Sequence, residues 1–233
     1  VALSRLPKFV LPLVFGALPA FGQLYQISQP TSGYTSATTL VPITAPDGTV
    51  LTSLTDGTQT VTLGFIAPGS SVFEAHTVGG GGWSTWGAPP ATESSTPRVV
   101  GSYTSVTSLT LALSVPSRTF GFEIEPDTLS NFTISAAYYS GGTLLGTISQ
   151  SINGHGGALL AAGSSNLPIT AVVITAPSGA NGFAMAQFRY GSTTLATPVP
   201  ALSTTVMMSL GGLLAAAGAF LARAQQRSGA VRP

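Results

Sequence analysis

Few residues in this chain could do chemistry, and they fall in two places. Glu123 and Glu125 stand two apart in Phe120-Gly-Phe-Glu-Ile-Glu-Pro126. On a β-strand their side chains share one face about 7 Å apart, a separation compatible with the carboxylate pair that hydrolyses a glycosidic bond. Paired acids on an outer strand face are more commonly just solvated, and that is the expectation here. The second place is the loop Glu74-Ala-His-Thr-Val-Gly-Gly-Gly-Gly-Trp-Ser-Thr-Trp-Gly-Ala-Pro-Pro90. Trp83 and Trp86 are two aromatic planes that could stack on sugar rings and so form a carbohydrate-binding site. The alternative, and the first expectation, is that they cap the open end of a β-sandwich core.

Other chemistries lack their parts. No Lys-Ser/Thr follows the glycines, so they make no phosphate cradle. His76 and His155 are the only histidines. They lie far apart in sequence, with nothing to make them converge on a metal. Both are expected at the surface or lightly hydrogen-bonded. No Gly-x-Ser-x-Gly elbow is present. No catalytic residue, metal or cofactor is assigned, and the chain is not expected to be an enzyme. Asn131-Phe-Thr133 matches a glycosylation sequon, but that use needs a eukaryotic secretory route.

The elements that must position these residues read as strands. Val61, Leu63 and Phe65 alternate, as do Leu109, Leu111, Leu113 and Val115 before a turn at Pro116-Ser117. Phe120, Phe122 and Ile124 follow at period two. Phe132 to Tyr138 and Leu144 to Ile152 flank the hairpin turn Ser140-Gly-Gly-Thr143. Ile169 to Thr175 and Phe183 to Tyr190 close the series. Short alternating runs with turn signals between them predict an all-β, antiparallel β-sandwich over residues 23–197. Leu111, Leu113, Phe120, Phe122, Ile134, Val172 and Phe188 are the predicted core.

Composition fits. Charged residues are 6% of the chain, against about 25% in a typical soluble domain. The predicted domain holds three arginines and all seven acids, a net charge of −4. A mildly acidic domain has no footprint for nucleic acid. Cysteine is absent, so disulfides and thiolate sites are excluded.

The two ends speak of export. Arg5 and Lys8 precede an apolar run from Phe9 to Leu18, and Ala20-Phe21-Gly22 supplies small residues for a signal peptidase. Residues 1–22 are therefore read as a signal peptide cleaved between Gly22 and Gln23. At the other end, 198–205 form a linker and 206–222 an uncharged run. With Thr204 and Thr205 that run reaches the roughly 20 residues that span a bilayer as a helix. Arg223, Arg227 and Arg232 follow it in the basic tail 223–233. They act as stop-transfer charges that stay cytoplasmic while the domain faces out.

Val199-Pro200-Ala201-Leu202-Ser203, then the apolar helix, then arginines, resembles a PEP-CTERM-type sorting tail of the Val/Ile-Pro-Thr-Leu-Ser variety. Ala201 departs from the usual Thr or Glu, and the arginines are spread rather than clustered. The resemblance implies a Gram-negative-type envelope, processing by an exosortase, and association with exopolysaccharide in a biofilm matrix. Phe120 to Pro126, Phe132-Thr-Ile-Ser, Gly146 and Gly182 to Tyr190 also resemble a jelly-roll module found in exported proteins of that group. Some related jelly rolls bind carbohydrate, and some carry a calcium through an acidic residue near the last strand. Ala186-Gln187 stands there, so no calcium site is carried over. Only the Asp127 turn, beside Glu123 and Glu125, leaves that option open. The expected function is a structural or interaction protein of the cell surface or matrix. The alternative is a carbohydrate-binding module acting on exopolysaccharide through Trp83 and Trp86.

Overall fold

The computed structural model describes residues 24–65, 72–80, 82–102 and 104–193. The signal peptide, the Val199 to Ser203 motif, the 206–222 run and Arg223 and Arg227 lie outside those residues.

Within them the chain forms β1 (Leu24–Ile27), a short α1 (Ser32–Ser36), β2 (Thr39–Val41), β3 (Ser53–Thr55), β4 (Thr60–Phe65), β5 (Glu74–Thr77) and β6 (Arg98–Ser102). Seven longer strands follow: β7 (Ser108–Ser117), β8 (Thr119–Pro126), β9 (Asn131–Ser140), β10 (Thr143–Asn153), β11 (Ala158–Ser164), β12 (Ile169–Thr175) and β13 (Phe183–Gly191). They build two sheets. The seven-stranded sheet runs β1-β11-β8-β13-β6-β5, with β2 also on β13. The six-stranded sheet runs β10-β9-β12-β7-β4-β3. Every ladder between these strands is antiparallel. The fold is the two-sheet β-sandwich that the alternation predicts.

The core lies between the sheets and contains all seven predicted residues. Burying each such side chain is worth about 1.5–3 kcal/mol. Phe120, Phe122 and Phe188 pack in a row, with Phe122 and Phe188 stacked at 6.0 Å between centroids. The turn expected at Pro116-Ser117 falls one residue later. β7 runs through Ser117 and the chain crosses to the other sheet at Arg118.

The two outer faces differ. On the six-stranded sheet the outward residues of β9 and β10 stay open or half-buried. On the seven-stranded sheet β8 is buried at all eight positions. Its inward Phe120, Phe122 and Ile124 meet the core, while its outward residues lie beneath the 78–93 loop and α1.

Candidate functional site

Two features qualify: the nest of acids and tryptophans on the seven-stranded sheet, and the open face of the six-stranded sheet.

The nest overturns three expectations. Trp83 and Trp86 are 3% and 7% exposed, so they form no platform for a sugar. Nor do they cap the end of the sandwich. They pack with Val78, Val99, Ala184 and Ala186 in a second cluster on the outside of the sheet. Indole rings can lie this close because the backbone beneath carries no side chain at two points, one on β6 and one just before β11. A Cβ on Gly101 would sit 3.1 Å from the Trp83 ring, and one on Gly157 would sit 3.1 Å from the Trp86 ring. Glu123 and Glu125 are not solvated either; both are fully buried under this loop. Of the two histidines, expected at the surface or lightly hydrogen-bonded, His76 is 6% exposed with Nε2 3.8 Å from Glu74 Oε2, and His155 is exposed.

The acids hold the loop down. Glu123 accepts from Trp86 Nε1 at 3.1 Å with one oxygen and from the Glu93 backbone N–H at 2.5 Å with the other. Both donors favour the ionised form, but burial outweighs them and pushes Glu123 up to about 7. Burial also pushes Glu125 up to about 7, against the hydrogen bonds of Thr85, Trp83 and the Gly157 backbone. The Thr85 hydroxyl lies 2.5 Å from Glu125 Oε1 and 2.8 Å from the Gly154 carbonyl oxygen. A hydroxyl has one proton to give. With Glu125 protonated, its own O–H donates to Thr85, and Thr85 donates to Gly154.

Beside the nest Arg189 grips Glu93 with two bonds, Nε to Oε1 at 2.7 Å and Nη2 to Oε2 at 2.8 Å. Its Nη1 donates to the carbonyls of Thr35 and Thr38. The guanidinium therefore ties α1, the loop and β13 together. It reaches that side because β13 is bulged: Gln187 has φ of 50°, and the register slips between Ala186 and Arg189. A cleft of about 240 Å³ opens alongside, lined by Gln29, Pro30, Thr31, Pro89, Pro90, Thr92 and Glu93. Tyr34 lies on the same face against Leu159 and Ala161. Burial above all holds its phenol far above the usual value, with Glu93 and Glu123 adding and Arg189 opposing. Tyr34, Thr85, Glu93 and Arg189 escaped the sequence reading. The one available signal was Arg189, a single guanidinium among the apolar residues of the last strand.

What the nest can do chemically follows from its burial. A carboxylate without solvent-accessible surface receives no substrate in this conformation. Among the described residues no cluster of three His, Cys, Asp or Glu could hold a metal. Asp127 takes a hydrogen bond from Asn181 Nδ2 at 2.7 Å, outside the nest's network.

The open face is different in kind. Register sets its outward side chains in rows. One row is Ser53, Thr62, Ala112, Ala171 and Tyr139; the next is Gly64, Thr110, Val173, Ala137 and Thr147; a third is Ser108, Thr175, Ser135 and Ser149. Within a row neighbours stand about 4.8 Å apart, and the rows are about 7 Å apart. No member is charged. The charged side chains of the described residues lie on the seven-stranded sheet or in loops and turns.

Comparison with known proteins assigns no family. No family model matches the chain, and no curated protein matches it. Among solved structures, the enzymatically active domain of bacteriophage CBA120 tailspike protein 4 is similar at a TM-score of 0.35 and 16% identity, over 57% of this chain. The chain spans 19% of that tailspike structure. A carbohydrate-binding module from Cellvibrio mixtus lichenase 5A, solved with cellotriose, is similar at a TM-score of 0.30 and 14% identity, over 52% of this chain and 87% of the module. Likenesses this slight assign neither ligand nor activity.

Proposed function

We propose that this chain is an exported, non-catalytic surface or matrix protein that holds neutral polysaccharide on the outer face of its six-stranded sheet. The observation that supports this reading is the charge-free hydroxyl face. A neutral polysaccharide offers hydroxyls and C–H surfaces and no charge. An uncharged array of hydroxyls and methyls meets it without stranding a desolvated charge. The opposite face is sealed by the protein's own loop, and its acids and tryptophans serve that seal. In this reading Trp83 and Trp86 do not stack on sugar.

The ends supply the route. Signal peptidase cleaves between Gly22 and Gln23, residues 206–222 enter the membrane, and Arg223 and Arg227 stop transfer. The PEP-CTERM-like motif Val199 to Ser203 offers the tail to an exosortase, and the sandwich belongs with the jelly-roll modules such tails carry.

The test is retention of the exported protein on immobilised polysaccharides. The wild type is retained on a neutral glucan at physiological salt, and the double variant Thr110→Glu, Ala137→Glu passes through. Failure of the wild type to bind any neutral polymer overturns the reading, as does unchanged retention of the double variant.

A further inference from the structure

The sandwich has one edge unlike the rest. β1 and β5 bound the seven-stranded sheet and are four residues each; β2 and β3 are three. β5 is also covered: Gly48 N–H donates to the Ala75 carbonyl, Leu51 N–H to Phe73, and Ala75 N–H to the Thr49 carbonyl. Proteins keep edges short, charged or covered because a free edge pairs with whatever strand it meets. β10 breaks that pattern. It is eleven residues long and carries no charge and no proline. Among the described residues its ladder runs to β9 alone. Beyond that ladder, the backbone bonds described for it involve only its last residue, Asn153. Its one irregularity, the register shift between Leu144 and Gly146, leaves Thr147 to Asn153 in unbroken register.

We propose that β10 is the strand through which two copies of this chain join, antiparallel, about a two-fold axis. Charge and pattern select a second copy as the occupant. An antiparallel strand meeting itself sets each residue against a symmetry-related one, and an uncharged strand meets no repulsion there. With Gln150 opposite Gln150 of the second copy, Ile148 faces Ile152 and Ser149 faces Ser151. That register keeps the buried Ile148 and Ile152 on the core side and both serines on the hydroxyl side, as the period of two requires. The paired copies then present one continuous hydroxyl face.

The register makes the test specific. In sedimentation of the full chain in mild detergent, the wild type is a dimer at micromolar concentration. Ser149→Lys with Ser151→Lys sets lysine against lysine twice and raises the dimer Kd about tenfold. Ser149→Lys with Ser151→Glu sets lysine against glutamate twice and restores the dimer. Unchanged thermal melts show that each variant is folded. A monomeric wild type overturns the proposal. In that case slow amide exchange at 147–153 would show that the chain's own residues outside 24–193 cover the edge. A dimer indifferent to all four charges also overturns it, because the copies then join elsewhere. Dimerisation is read without polysaccharide, so it stands or falls independently of the binding face.

Discussion

At the scale of single residues, the buried acids couple stability to pH. In the unfolded chain Glu123 and Glu125 ionise near 4.5, and in the folded chain near 7. Between those values the folded state keeps protons that the unfolded state has shed. The contribution of these two acids to stability is therefore greatest at or below pH 4.5, falls as pH rises to 7, and levels off above it. Thermal melts from pH 4 to 8 should show Tm declining across that window; a Tm that climbs through it contradicts the assignment. The two acids respond differently to amidation. Glu125→Gln can still donate to Thr85, so at pH 8 its Tm should equal or exceed the wild type's. Glu123 accepts with both oxygens, and an amide nitrogen there faces a donor. Glu123→Gln should cost about 1–3 kcal/mol. Trp86→Ala should cost more, about 3–5 kcal/mol, because it empties the second cluster as well.

At the scale of elements, close approach explains why the nest exists. A Cβ on Gly121 would lie 2.2 Å from Ala161 Cβ and 2.7 Å from the Tyr34 hydroxyl. Gly121→Val should therefore push Tyr34 and α1 off β8 and β11. The expected outcome is a Tm lower by several degrees, with faster proteolysis near residue 34; a wild-type melt would show that α1 docks elsewhere. Sequence revealed the strands whose two faces differ. β4, β7, β9 and β12 alternate because one side meets the core and the other meets water. β11, Ala-Leu-Leu-Ala-Ala-Gly-Ser, is buried at six of its seven positions and shows no alternation to read. β2 and β3 are too short to carry a period. The nest was hidden for a related reason: period two places Glu123 and Glu125 on the outer face, but it cannot reveal that a loop beginning 45 residues earlier returns to cover that face. The bulge at Gln187 is a left-handed conformation on a non-glycine residue, which composition does not announce.

At the scale of the whole molecule, the domain has a sealed face and an open face, and a delivery route is proposed for it. The route makes its own predictions. Mass spectrometry of the exported protein should find Gln23 at its N-terminus; an intact Val1 would exclude cleavage there. Deleting residues 199–233 should release a folded domain into the medium, whereas a deletion that unfolds the domain would make the 206–222 run part of its core. If residues 206–222 enter the membrane as proposed, Leu214→Asp places a charge in mid-span at about 2.5–3.5 kcal/mol. It should lower retention in the envelope without changing the melt of the domain.

The central claim, that the open hydroxyl face takes a neutral polysaccharide, is tested most directly by amide chemical-shift mapping during titration with a soluble neutral glucan. The shifts should concentrate at Thr62, Thr110, Val173, Ala137 and Thr147, while the indole N–H signals of Trp83 and Trp86 stay fixed. Shifts centred on the two indoles and the 83–93 loop, with the six-stranded sheet silent, would contradict the account.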